Sequence, residues 1–304
     1  GRETTGRPEA EIRVKILILG GDGRLGHQLL ESWRGRHDVW VTLRNSPVAY
    51  ARYGRRFGDT ALFGVDVRDL QAVVHALAVV KPSAVVNAVG VIKQRPTAKE
   101  AIPSIEINAA VPHRLAELCE VAGCRMIQVS TDCVFSGRKG NYSESDEPDA
   151  MDLYGRSKLL GEVDAPHCLT IRSSIIGLEL THKRSLVEWF LAQRGSIRGY
   201  SRAIYSGMTT QEMARAIEYF LVTRPDVSGV WHLSSRPISK YDLLQALAGK
   251  LSSREVVIDC DEEFFCDRSL DSSALERKVD YRVASWDLML DELAEAIRRR
   301  GRSA

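Results

Sequence analysis

The chain has 304 residues, 44% of them hydrophobic, and a net charge of +2 with acidic and basic residues interspersed. That length and apolar content can bury one large or two moderate cores, the balanced charge leaves no footprint for nucleic acid, and no run approaches the ~18 apolar residues of a membrane span. Six cysteines (Cys119, Cys124, Cys133, Cys168, Cys260 and Cys266) form no Cys-x-x-Cys pair and have no His-rich companion, which argues against a zinc site and for reduced thiols in a cytoplasmic protein with no secretory signal.

Residues 1–13 are polar with Pro8 and read as a flexible tail. Val14 to Leu19 is a short branched apolar run, a buried strand. It opens into Gly20-Gly21-Asp22-Gly23-Arg24-Leu25-Gly26, and then into a helical pattern with Leu25, Leu29, Leu30 and Trp33 on one face. Strand, glycine turn and helix are the context of a dinucleotide loop: Gly20 for the sharp turn, Gly23 for approach of a pyrophosphate, Gly26 for helix–strand packing. Without a second motif a plain tight turn explains it equally well.

Val39 to Leu43 reads as the second strand, followed by Arg44-Asn45 where folds of this kind that prefer NAD carry an acidic residue. Arginine suits a 2′-phosphate, which favours NADP(H) over NAD(H), although a solvent-exposed loop arginine is the simpler alternative. Further strands are expected near 62–66, 84–88 and 125–130, a long helix through Ile107 to Leu115, and a sixth strand at Leu169 to Ile171. The fold class is therefore α/β, a doubly wound parallel sheet of Rossmann type over residues 14–171, with a smaller α/β lobe for substrate over 172–304. Val230 to Leu233 looks like one more strand, so residues 209–234 are expected to return to the first domain.

At the end of the fifth strand stand Ser130-Thr131-Asp132, and a polar loop of residues 136–151 leads to Tyr154-Gly155-Arg156-Ser157-Lys158. Tyr154 and Lys158 are four apart, one face of a helix. A phenol ionises near pH ~10, so a neighbouring ammonium is expected to favour its phenolate, and a threonine hydroxyl can hold a carbonyl within reach. The spacing alone also fits an ordinary exposed helix.

The run Gln128 to Gly137, continued by Gly140-Asn141-Tyr142 and Leu153 to Glu162, resembles the extended short-chain dehydrogenase/reductase superfamily, in its dTDP-4-dehydrorhamnose reductase-like branch, and the resemblance spans about Lys15 to the carboxyl terminus. It implies Thr131, Tyr154 and Lys158 as the catalytic set, with Tyr154 and Lys158 also touching the cofactor, and it implies cofactor contacts at Gly20, Gly23, Arg24, Leu25, Gly26, Arg44, Asp66, Val67, Ala88 and Val89. Asn87 fits either a strand end beneath the cofactor or a loop cap, and Asn108 is implied to be structural. The partner would be a nucleotide sugar, with Ser130, Asp132, Val134, Trp189 and Tyr205 as candidate contacts, no metal, and a homodimer left open.

Two departures concern the sugar. Arg172-Ser173-Ser174-Ile175 has Ile175 where dehydrorhamnose reductases often show tryptophan, and Gly207-Met208-Thr209-Thr210 has threonine for the proline of a Gly-x-Pro-Thr turn. Trp189, Tyr200 and Tyr205 could supply the missing aromatic platform or sit in the core. Thr131-Asp132-Cys133 lacks the Asp-Glu of dehydratases. The expected activity is NADP(H)-dependent reduction of a nucleotide-linked keto-deoxysugar with Tyr154 as acid. The alternatives are an epimerase and a non-catalytic subunit resembling the methionine adenosyltransferase beta subunit.

Overall fold

The computed structural model describes residues 12–91, 100–252 and 256–302, so residues 1–11 of the expected tail lie outside it. The first half runs β1 (Lys15–Leu19), α1 (Arg24–Trp33), β2 (Asp38–Leu43), α2 (Pro47–Tyr50), β3 (Ala61–Phe63), α3 (Leu70–Val80) and β4 (Ala84–Asn87). Then come α4 (Ala101–Ile105), a π-helical turn (Glu106–Ala110), α5 (Val111–Ala122), β5 (Arg125–Val129), α6 (Leu153–Leu160) and β6 (Cys168–Arg172). The second half comprises β7 (Ile175–Ile176), α7 (Leu186–Leu191), β8 (Gly195–Tyr200), β9 (Ala203–Tyr205), β10 (Met208–Thr209), α8 (Thr210–Val222) and β11 (Gly229–His232). It ends with β12 (Ile238–Ser239), α9 (Lys240–Leu251), β13 (Val256–Asp261), β14 (Cys266–Asp267), α10 (Ser273–Lys278) and α11 (Trp286–Arg302).

Seven parallel strands form the central sheet in the order β11-β6-β5-β4-β1-β2-β3. A sheet covered on both faces needs strands apolar on both sides, and β1 shows why its run is continuous. Ile16 and Ile18 point into a core with α1 and α8, whereas Leu17 and Leu19 point into a second core with α3 and α5. All four are fully buried, each contributing about 1.5–3 kcal/mol of burial. β11 pairs with β6 at the sheet edge, and α8 covers α1, where Trp33 Nε1 donates to the Ala214 carbonyl at 3.3 Å.

The third strand is shorter than the expected 62–66. Gly64 takes a positive φ of 73° and turns the chain after Phe63, leaving Asp66 and Val67 in the following loop. The remaining small sheets, β10-β7, β12-β9-β14 and β13-β8, surround a third core built on Phe190, Tyr205, Leu243, Leu247, Leu290 and Leu293. Among the described residues no helix is long and apolar enough to cross a membrane.

Candidate active site

The strand order reverses between β1 and β4, the place where an open α/β sheet leaves a crevice beyond its strand ends. A cavity of about 270 Å³ lies there, lined from the loops after β1, β4 and β5, from α6, and from the segment after β6. Gly20, at φ 81°, reverses the chain after β1, and a Cβ on Gly26 would stand 2.0 Å from the Gly20 carbonyl oxygen, so the loop can seat α1 only if that position is glycine. Gly23 caps α1 without any side chain over its first turn, which holds no acidic residue. Gly23, Arg24 and Leu25 of this uncapped turn line the cavity.

Helix α6 brings the phenol to the strand ends. Asp152 caps it by accepting from the Gly155 N–H at 2.7 Å, and a Cβ on Gly155 would come within 2.2 Å of the Cys133 carbonyl. That close approach sets Tyr154 beside Thr131. Thr131 Oγ1 accepts from the Cys133 N–H at 3.1 Å and donates to Asp132 Oδ1 at 3.2 Å. Lys158 Nζ donates to the Val129 carbonyl at 2.7 Å. Asn108 anchors the helix from behind: its Oδ1 accepts from Val91 N–H at 2.9 Å, and its Nδ2 donates to the Val91 carbonyl and to Ser157 Oγ.

Burial dominates the electrostatics. It pushes the Tyr154 phenol above its ordinary value, helped by Cys133 and Asp132 and opposed by the Thr131 hydroxyl and Arg24. It holds the Lys158 ammonium down at about 8 against the attraction of Glu162. It also raises the Asp132 carboxyl despite Arg268 and Lys240 nearby. The Lys158 ammonium is turned to the Val129 carbonyl, and Arg24 is a cation that favours the Tyr154 phenolate.

Gly23, Arg24, Leu25, Ala88, Val89, Ser130, Thr131, Asp132, Tyr154 and Lys158 all line the cavity. Gly20 and Gly26 shape the loop beneath it, while Arg44, Asp66 and Val67 lie outside the cavity, after β2 and β3. Arg44 is exposed and attracts the Asp66 carboxylate, which Arg68 holds below the usual range through paired hydrogen bonds. Asn87 lines the cavity too, accepting from the Val89 N–H at 3.2 Å and donating to Gln128 Oε1 at 2.8 Å.

Three expected substrate contacts are not at the cavity. Val134 is fully buried against Phe135, Tyr142 and Leu270. Trp189 is 38% exposed on α7, away from the cavity lining. Tyr205 is buried in the third core, its ring 5.6 Å from that of Trp286. Their sequence signal was aromatic or apolar character alone, which does not distinguish core from platform.

The structure adds residues the sequence did not single out. Ser173, Glu179 and Lys240 line the cavity from beyond β6. Arg24 donates to the Ile175 carbonyl at 2.9 Å and pairs with Glu179 at 3.2 Å, joining the glycine loop to the segment after β7. Ser130 donates to Glu162 at 2.6 Å, and Glu162 pairs with buried Arg172. No local motif marks these positions, because each contact joins residues far apart in the chain. Among the described residues no cluster of His, Cys, Asp and Glu could hold a metal ion.

Comparison with known proteins agrees with this fold. The chain is 24% identical to a dTDP-4-dehydrorhamnose reductase of Aggregatibacter actinomycetemcomitans over 80% of its length and 81% of that protein. It is 28% identical to the methionine adenosyltransferase 2 subunit beta of Mus musculus over 51% of the chain, a match that spans only 44% of that relative. The crystal structure of dTDP-4-dehydrorhamnose reductase from Bacillus anthracis in complex with NADP superimposes with a TM-score of 0.74 at 18% identity, covering 93% of this chain and 99% of that one. The family model described as the RmlD substrate binding domain matches residues 14–297, and the chain belongs to that family.

Proposed function

We propose that the protein is an NADP(H)-dependent reductase of a nucleotide-linked keto-deoxysugar. The observation that carries this reading is the convergence of Thr131, Tyr154 and Lys158 with the bare first turn of α1 on one cavity. The relatives named as dTDP-4-dehydrorhamnose reductases support the substrate class, and the NADP in one of them supports the cofactor. In this reading residues 14–171 with 209–234 form the dinucleotide-binding unit, and the rest of 172–304 the substrate lobe.

The loop Gly20 to Gly26 and the N-terminus of α1 would hold the pyrophosphate, and Arg44 a 2′-phosphate. The dinucleotide, when bound, supplies the hydride to the keto carbon. Thr131 Oγ1 orients the carbonyl oxygen, and Tyr154, held protonated by its buried setting, passes its phenolic proton to that oxygen as the alkoxide forms. Lys158, on the same helix face, would donate to the nicotinamide ribose and stabilise the phenolate left behind.

Mixing the protein with NADPH and dTDP-4-dehydrorhamnose tests the reading: the reduced-cofactor absorbance should fall, and should not fall with Tyr154→Phe. No turnover with this or other nucleotide 4-keto sugars would refute it. The matches to methionine adenosyltransferase beta subunits favour a second reading, a cofactor-binding regulatory subunit. That reading predicts stable association with a methionine adenosyltransferase catalytic subunit, unaffected by Tyr154→Phe.

A further inference from the structure

Hydride and proton transfer make no use of the ion pair between Arg24 and Glu179 in the cavity wall. Arg24 is the first residue of α1, at the uncapped turn where the proposed function seats the dinucleotide pyrophosphate. Its Nε and one terminal nitrogen donate to Glu179 Oε1 at 3.4 and 3.2 Å, and the other terminal nitrogen donates to the Ile175 carbonyl at 2.9 Å. Among the described residues these contacts leave part of the guanidinium fork without an acceptor.

The carboxylate is the fixed member of the pair. Glu179 Oε2 accepts from the backbone N–H groups of Arg184 and Ser185 at 2.7 and 3.3 Å. The Glu179 N–H donates to Glu188 Oε1 at 2.8 Å, and Arg300 holds Glu188 in turn. Arg24 reaches this anchored group along an unbranched stem, so the arginine can turn where the glutamate cannot. Asp22, on the same glycine loop, accepts from the Tyr50 hydroxyl at 3.0 Å, so the carboxylate that meets Arg24 is Glu179. A pyrophosphate at this turn brings a second anion to one guanidinium. Arg24 then either bridges the two or turns to the phosphate, and in both cases the fixed carboxylate repels the incoming charge.

We infer, resting on the dinucleotide-binding part of the proposed function, that Glu179 competes with the cofactor phosphates for Arg24 and so hastens release of the spent dinucleotide. A reductase must exchange NADP+ for NADPH at every turnover, and a carboxylate built into the wall keeps that exchange fast. Glu179 is a positioning residue: it acts through Arg24 on the cofactor and not on the reacting bond. Since Arg44 lies outside the cavity, the effect is the same with or without a 2′-phosphate.

The test is calorimetric titration of NADP+ and NAD+ into the full chain. Glu179→Gln keeps an acceptor oxygen for Arg24 and removes the charge. It should bind both dinucleotides at least about tenfold more tightly, the order of the repulsion between like charges a few ångströms apart near a protein surface. Stopped-flow fluorescence should show NADPH release slowed by a similar factor, whereas a merely structural glutamate would give looser binding when replaced. Arg24→Gln should weaken both dinucleotides about tenfold, the value of a hydrogen bond to a charged group, and it carries the test should Glu179→Gln fail to fold. Unchanged or weaker binding in Glu179→Gln, tightening of NADP+ alone, unchanged binding in Arg24→Gln, or no binding of either dinucleotide to the wild type overturns the inference. Tighter binding in Glu179→Gln without NADPH consumption on any nucleotide 4-keto sugar would instead refute the reductase reading and leave the role of Glu179 standing.

Discussion

Tyr154 and Lys158 show how far a spacing can be read. Four residues on a helix put both side chains over one volume, and that much was legible. The direction of the lysine was not, because its acceptor is the Val129 carbonyl on β5, brought near only by tertiary packing. The consequence for pH can be worked out. Burial lowers the Lys158 ammonium to about 8, so it is charged below that value and neutral above it. In the proposed mechanism the charged form acts, so kcat/KM for NADPH should fall as pH rises through about 8, and Lys158→Met, with much lower activity throughout, should lose that limb. A profile flat through this range in the wild type would count against the role of Lys158. Tyr154→Phe should cut kcat by about 10²–10⁴-fold, the usual contribution of a positioned proton donor, while fluorescence titration shows NADPH binding retained.

Among elements, α6 depends on two glycines and a π-helical turn. A Cβ on Gly161 would stand 1.8 Å from the Asn108 carbonyl oxygen, and one on Gly155 2.2 Å from that of Cys133. Neither backbone neighbour can yield cheaply, so Gly155→Ala should displace Tyr154 and depress activity beyond its effect on stability. Asn108→Ala strands the buried Val91 N–H, which donates to the Asn108 amide oxygen, and should cost about 1–3 kcal/mol in denaturant unfolding. The sequence carried Asn108 as a structural residue within a long helix. The π turn that aims its amide at Val91 has no sequence signature, since the insertion is fixed by what packs on either side. Gly64 likewise shortened the third strand where β propensity alone ran on to Asp66.

Across the whole molecule, the first half was readable because each strand is apolar on two faces and each helix on one. The second half is built of two- to six-residue strands with little periodicity, which is why Trp189 and Tyr205 could not be told from a substrate platform. The halves share the apolar core of β1, α1 and α8, and Arg24 ties them further through the Ile175 carbonyl and Glu179. Within the first half, buried Glu162 holds Arg172 and Ser130, and removing it leaves a guanidinium 8% exposed without its carboxylate. Glu162→Ala should therefore lower unfolding stability by about 3–5 kcal/mol. The account stands most directly on the fate of one hydrogen. With dTDP-4-dehydrorhamnose and NADPH deuterated at the reactive nicotinamide carbon, mass and NMR analysis of the product should find the deuterium on C4 of the sugar. Sugar converted without deuterium, or deuterium that never leaves the nicotinamide, would contradict it.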